Sequence, residues 1–263
     1  MDDTSDKLMV AEQRRNEILR RVEEQGSIRI SNLGSHFNVT DMTIRRDIDV
    51  LSQRGLMKRV HGGAISEGDG NIDLATTFLK RNKEFKPEKE RIGIRAQEFV
   101  EEGSTIIIDG GSTNEIFANH LDPRKNLRVV THGLNIAWIL AGNENHELIV
   151  PGGILNRLTM TFTGSEVAGI YEELNADLLF LSASGISLEK GLSDPAWLDR
   201  SIKKAMIKAA KKVILLIDSH KFGLVSSRTF ASIQDVQLVV TDVNLDEGFR
   251  EQCEGIGLPL ILA

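Results

Sequence analysis

Two groups of residues in this chain of 263 could do chemistry beyond holding a fold together. The first is the run Thr40-Asp-Met-Thr-Ile-Arg-Arg46, followed by Lys58, Arg59 and His61. An arginine fork donates paired hydrogen bonds to a guanine edge or clamps a phosphate, and a threonine hydroxyl reaches a base edge or a phosphate oxygen. Residue types do not separate base readout from phosphate grip. Two adjacent arginines also suit the solvated face of a structural helix, so the surrounding elements must decide. The second group is Asp109-Gly-Gly-Ser-Thr113. Gly110 and Gly111 let a backbone approach an anion, while Ser112, Thr113 and the N–H groups of a helix opening there favour a phosphate. A tight turn with a hydroxyl cap reads the same way in isolation. Corroboration comes from Thr131-His-Gly133, Pro151-Gly-Gly153, Ser182-Ala-Ser-Gly185 and Asp218-Ser-His-Lys221, each at the end of a strand-like run.

The elements around the first group form a pattern. Ile18, Leu19 and Val22 recur at three- and four-residue spacing between Gln13 and Glu24, which marks a short amphipathic helix stopped by Gly26. A brief extended piece covers Ser27 to Ile30. Ser31 is placed to cap a second helix that buries Leu33 and Phe37, and Asn38 and Val39 turn the chain. Thr40 caps a third helix in which Ile44, Ile48 and Leu51 face inward. Leu56 to Val60 and Gly63 to Ile65 read as a small hairpin, a wing. Three short helices with a tight turn between the last two make a helix-turn-helix, whose third helix enters the major groove. The expected DNA contacts are Ser31, Thr40, Met42, Thr43, Arg45, Arg46, Lys58, Arg59 and His61. Asp47 is expected to bond within the domain. Paired half-sites require paired heads, so a homodimer or homotetramer is expected.

From Pro87 onward, strand-like runs alternate with helical stretches: Thr105 to Ile108, Leu127 to Val130, Glu147 to Val150, Asp177 to Leu181, Lys212 to Ile217, Val236 to Val240 and Leu260 to Leu262. A helix is expected over Asn114 to Leu121. Most runs are apolar throughout, as strands covered on both faces are. The fold class is therefore α/β: a winged helix-turn-helix followed by a doubly wound, mostly parallel sheet, with ligands at the carboxyl edge of its strands. The boundaries are 1–65 for the head, 66–86 for a linker and 87–263 for the sheet domain.

Composition narrows the class. Apolar residues make up 41% and charged residues 27%, the balance of a globular chain, and the net charge is −6. Residues 14–61 hold ten Lys/Arg against six acids, which puts a positive head on a body of about −10. Only the head is suited to a polyanion as long as DNA. No apolar run approaches bilayer length and the start of the chain has no secretory pattern, so neither a membrane partner nor export is expected and the reading is cytoplasmic. Cys253 has no disulfide partner and is expected as a buried thiol. His36, His120 and His146 lack metal-ligand spacing, and neither metal nor cofactor is expected.

The stretch from Arg15 to Asp47 resembles the signature of the DeoR family of bacterial repressors. Arg14 or Arg15, Ile18 and Val22 stand for the first part of that signature, and Thr40, Thr43, Ile44, Arg45, Arg46, Asp47 and Ile48 for the second. Arg59-Val-His-Gly-Gly-Ala64 resembles the family's wing, and the similarity continues through the C-terminal domain. It implies a repressor of a sugar-utilisation operon that binds operator DNA and is released by a phosphorylated sugar, with a sensing domain similar to ribose-5-phosphate isomerase. It implies effector contacts at Asp109, Gly110, Gly111, Ser112, Thr113, Thr131, His132 and Lys221; Gly153, at another strand end, joins that set, and Asp194 with Lys203 or Lys204 is placed to bind either sugar hydroxyls or subunit neighbours. For Lys221, a cation near a phosphate competes with a solvated surface lysine. Two departures stand out: His132 replaces the family's usual Asn and His220 a usual Ser. The alternatives are an isomerase-like enzyme with an accessory head, which lacks a clear acid/base pair beside the cradle, and a nucleotide sensor, which lacks a G-x-G-x-x-G turn.

Overall fold

The structure is a computed structural model that describes residues 14–15, 17–19, 21–22, 27–53, 57–60, 63–66, 81–195 and 200–263. The chain divides into two compact units, Met1–Ile72 and Asp73–Ala263.

In the smaller unit the described residues between 14 and 22 are helical. β1 (Ser27–Arg29), α1 (Ile30–Phe37), α2 (Asp41–Gln53), β2 (Met57–Val60) and β3 (Gly63–Ser66) follow, and the strands pair antiparallel in the order β1-β3-β2. Ile18, Val22, Leu33, Ile44, Ile48, Leu51 and Met57 close one core. Asn38 turns the chain at φ 52°, and Thr40 then caps α2: its carbonyl accepts the Ile44 N–H at 3.2 Å and its hydroxyl the Thr43 N–H at 3.4 Å. The turn is tight enough to need Gly34, where a Cβ would sit 2.9 Å from Asp41 Oδ1 and 3.2 Å from the Val39 carbonyl. One expectation is corrected. The second helix starts at Ile30, ahead of Ser31, and the Ile30 side chain is buried in the head core.

The larger unit is built on seven parallel strands: β4 (Thr105–Ile108), β5 (Leu127–Val130), β6 (His146–Ile149), β9 (Ala176–Leu181), β12 (Ala210–Leu216), β14 (Leu238–Thr241) and β15 (Leu260–Leu262). Their order is β15-β14-β12-β9-β4-β5-β6. The chain starts in the middle at β4, winds out through β5 and β6, then returns to the other side of β4 with β9. The winding direction therefore reverses between β4 and β9, the place where open sheets leave a crevice. α3 (Lys86–Ala96), α4 (Ser112–His120) and α5 (Leu134–Leu140) cover Ile106, Ile108 and Phe180 on one face. α6 (Ser165–Glu172), α7 (Arg200–Ala209) and α8 (Glu247–Gly255) cover Ile107, Leu179 and Leu181 on the other, with Cys253 fully buried there. Both faces are covered, which is why the strands are apolar at consecutive positions.

Some boundaries differ from the sequence reading. α4 begins at Ser112, not Asn114, and β14 begins at Leu238, because Ile233–Asp235 form a 3-10 turn capped by Ser232. Two antiparallel additions were unforeseen: a hairpin of β7 (Ile154–Asn156) and β8 (Thr161–Thr163), and a sheet of β10 (Gly185–Ser187), β11 (Gly191–Asp194) and β13 (Arg228–Ala231). Three- and four-residue strands are too short to show a period.

Candidate functional site

On α2 the inward positions include Asp47 as well as the apolar residues. Its carboxylate is 2% exposed and takes Arg14 Nε at 2.6 Å and Arg15 Nε at 2.9 Å. Two of the head's cations are thereby spent on tying the first helix to α2. The outward stripe at i, i+3, i+4 and i+7 is Met42, Arg45, Arg46 and Asp49. Met42 is 57% exposed, and Arg45 and Arg46 are exposed with no carboxylate partner among the described residues. Arg59 on β2 bonds Asp49, which ties the wing to the same helix. The Thr40 and Thr43 hydroxyls are 3.1 Å apart at the start of α2. Met42, Thr43, Arg45 and Arg46 therefore share one end of one helix, with Thr40 at its cap. Ser31 and Lys58 lie on α1 and β2, and His61 lies outside the described residues.

In the larger unit the carboxyl ends of the strands carry the polar residues. Asp109, directly after β4, is 1% exposed; its Oδ2 accepts the Ser182 N–H at 3.0 Å and the Ser182 hydroxyl at 2.8 Å, across the β4/β9 reversal. Lys203 from α7 brings its ammonium to 3.0 Å from Asp109 Oδ2, 2.7 Å from Asp194 Oδ2 and 2.7 Å from the Ser182 carbonyl. Burial alone lowers the Lys203 pKa; the charges and hydrogen bonds of the two aspartates more than reverse this and hold it raised. His132, after β5, sets Nε2 3.8 Å from Asp109 Oδ1 and Nδ1 3.3 Å from the Tyr171 hydroxyl. Burial, then the Asp109 charge, raises the Tyr171 pKa well above its usual value, so the phenol stays protonated. After β12, Asp218 is 1% exposed and pairs with Lys221 at 3.2 Å. Asp242, after β14, holds the Ser219 N–H at 2.7 Å and its hydroxyl at 2.9 Å, which fixes the loop that carries Lys221.

A second row of cations packs behind these. Lys89 on α3 is 2% exposed and donates to the carbonyls of Arg81 at 2.5 Å and Glu84 at 2.8 Å. Burial and the neighbouring Lys221 charge push its pKa down to about 8, against the opposing pull of Asp218 and Glu84. Arg81 donates to the Leu158 carbonyl at 3.0 Å, and burial lowers its pKa while Asp194 and Glu84 oppose. The loop Gly110–Gly111 lies against β8 and β9: a Cβ on Gly110 would meet Thr161 Cγ2 at 2.4 Å, and Gly111 adopts φ 117° just before α4.

The description "DeoR-like helix-turn-helix domain" matches residues 14–68, and "DeoR C terminal sensor domain" matches residues 84–243. The chain is a DeoR-family transcriptional regulator. The HTH-type transcriptional regulator GolR of Listeria innocua is 32% identical over 95% of this chain and 98% of its own length. The glycerol-3-phosphate regulon repressor of Escherichia coli is 34% identical over 88% of this chain and 90% of its own. Among solved structures, ribose 5-phosphate isomerase A of Methanocaldococcus jannaschii superposes with a TM-score of 0.39 at 16% identity, covering 52% of this chain and 54% of that one. The relatives are named as transcriptional regulators, and this DeoR-family member carries the helix-turn-helix and sensor domains of such a regulator.

Within the DeoR-family sensor unit, Asp109, His132 and Asp194 meet around Lys203, and Gly110 to Thr113 border that group at the start of α4. Lys221 meets Asp218 instead. The Thr131 hydroxyl accepts the Gly133 N–H at 3.1 Å, a structural task. Gly153 is not in contact with the group; at φ 124° it lies where a Cβ would come 2.7 Å from the Thr163 carbonyl. Of the pair Lys203 and Lys204, the inner one is Lys203. Sequence reasoning missed Arg81, Lys89 and Tyr171 as members of the site, and named Ser182 only within a strand-end run. A lysine and an arginine before the first strand carry no local mark of burial. The departure at His220 has a visible partner: its ring stacks on Phe85 at 3.6 Å between centroids.

Proposed function

We propose that this regulator represses a sugar-utilisation operon by laying α2 in the major groove of operator DNA, and that a phosphorylated sugar bound at the strand ends releases it. The head acts as residues 1–65, the linker as 66–86 and the sensor as 87–263, in a homodimer or homotetramer in the cytoplasm. The reading of the head rests on Arg45 and Arg46, exposed and unpaired among the described residues on the outward stripe of α2. Thr40, Met42, Thr43, Lys58, Arg59, Ser31 and His61 complete the proposed contact set.

What supports the sensor reading best is a cluster of cations gathered at the strand ends. Arg81, Lys89, Lys203 and Lys221 stand among Asp109, Asp194, Asp218 and Glu84, and the Lys89 and Lys221 ammoniums repel each other. An anion near Lys221 and the N–H groups of Gly111 to Thr113 relieves that repulsion. Beyond the Lys221 ammonium, 3.2 Å from Oδ2, the Asp218 carboxylate has no hydrogen-bond donor among the described residues, which suits it to sugar hydroxyls. No helix among the described residues is long and apolar enough to cross a membrane.

The test is a gel-shift series on operator DNA with a panel of sugar phosphates. At least one is expected to release wild-type protein, and Thr113→Ala is expected to keep DNA binding while losing that response. A normal response from Thr113→Ala would place the effector elsewhere.

A further inference from the structure

A groove of about 750 Å³ runs along α7. Lys203 turns inward to Asp109 and Asp194, whereas Arg200, Lys204 and Lys208, spaced four residues apart, line the groove with Lys211 at the start of β12. Ser232 and Gln234, from the connection between β13 and β14, border it too, and the buried Phe230 and Val213 contribute apolar surface. Strand residues Ala210 to Val213 place one end of it at the amino end of β12, while at the other end Phe230 carries the Lys203 ammonium 4.7 Å above its ring.

Its charge is one-sided. Asp235 is the carboxylate that lines it, and that side chain already accepts the Ser232 N–H at 2.7 Å. Lys211 pairs with Asp177 at 2.7 Å, but Arg200, Lys204 and Lys208 form no ion pair among the described residues. Four-residue spacing advances about 6 Å along the axis, so three cations span about 12 Å, more than one phosphate can use. The volume is that of a small-ligand pocket, and a concave site with apolar surface suits an organic molecule better than the convex backbone of a duplex.

We infer that this groove is a second ligand site, separate from the strand-end pocket, for a small organic molecule bearing two or more phosphate groups. The experiment is titration calorimetry of the full chain with inorganic pyrophosphate and with ADP as probes. It is run in a Lys221→Gln background, which weakens anion binding at the strand ends. Saturable binding near one probe per chain is expected, with affinity reduced tenfold or more by Lys204→Gln with Lys208→Gln. Thr229→Trp, which fills the groove without touching a charge, is expected to do the same, and melting curves check that each variant is folded. Three results would overturn the inference: no binding in the Lys221→Gln background, binding indifferent to both groove changes, or loss of non-operator duplex binding in the double variant with neither small probe bound at all.

Discussion

Asp47 and Arg46 are neighbours in sequence with opposite duties. The Asp47 carboxylate is buried between Arg14 and Arg15, while Arg46 is exposed on the other side of α2. Asp47→Ala removes the buried carboxylate that Arg14 and Arg15 share, and is expected to cost about 3 kcal/mol of head stability in urea unfolding. Arg46→Ala is expected to leave that curve unchanged. It should weaken operator binding and flatten the dependence of log affinity on log salt by about one unit, one phosphate contact's worth. An unaltered salt slope would mean that Arg46 does not touch the backbone. Lys203 resembles Asp47 in kind: it is the cation between two buried carboxylates, so Lys203→Met is expected to destabilise the sensor by about 3 to 5 kcal/mol. A thermal melt that stays in place would show that the aspartates find other compensation.

The elements that could be read in advance were those with their own period and punctuation. The spacing of Ile44, Ile48 and Leu51, the Thr40 cap and the turn at Asn38 identify α2 without any tertiary information, and the structure places all three as expected. The cap carries a measurable share: Thr40→Ala is expected to lower head stability by about 1 kcal/mol in the same urea experiment. Runs such as Ile106 to Ile108 announce a sheet covered on both sides, because alternate side chains enter different cores. The small strands β7, β8, β10, β11 and β13 had no such signal. β7 with β8 and β10 with β11 are hairpins of strands too short to show an alternation, and β13 is held by a partner remote in sequence, as when Asp194 pairs in register with Arg228.

Across the whole sensor unit, the charges at the strand ends act as one coupled group. Lys89 has its pKa lowered to about 8, chiefly by burial and then by Lys221. Below that pH its ammonium is charged and favours a bound phosphate; above it the amine is neutral and the attraction is lost. Sugar-phosphate binding is therefore expected to take up a proton and to weaken as the pH rises from about 7 to 9, more steeply than phosphate ionisation alone requires. Calorimetry in buffers of different ionisation enthalpy reads both effects, and proton-neutral binding would remove Lys89 from the phosphate's surroundings. The two-unit division, the helix-turn-helix, the parallel sheet and the Gly-rich loop were determined by sequence alone, since each rests on local periodicity, turn chemistry or residue type. Which charges neutralise one another was decided only by the tertiary structure. Lys203 meets Asp109 because crossovers place a helix beside a strand end 94 residues away, and Arg14 reaches Asp47 across 33 residues. Nothing in either neighbourhood of the chain encodes such a meeting, because a charge carries no period and its partner is chosen by packing.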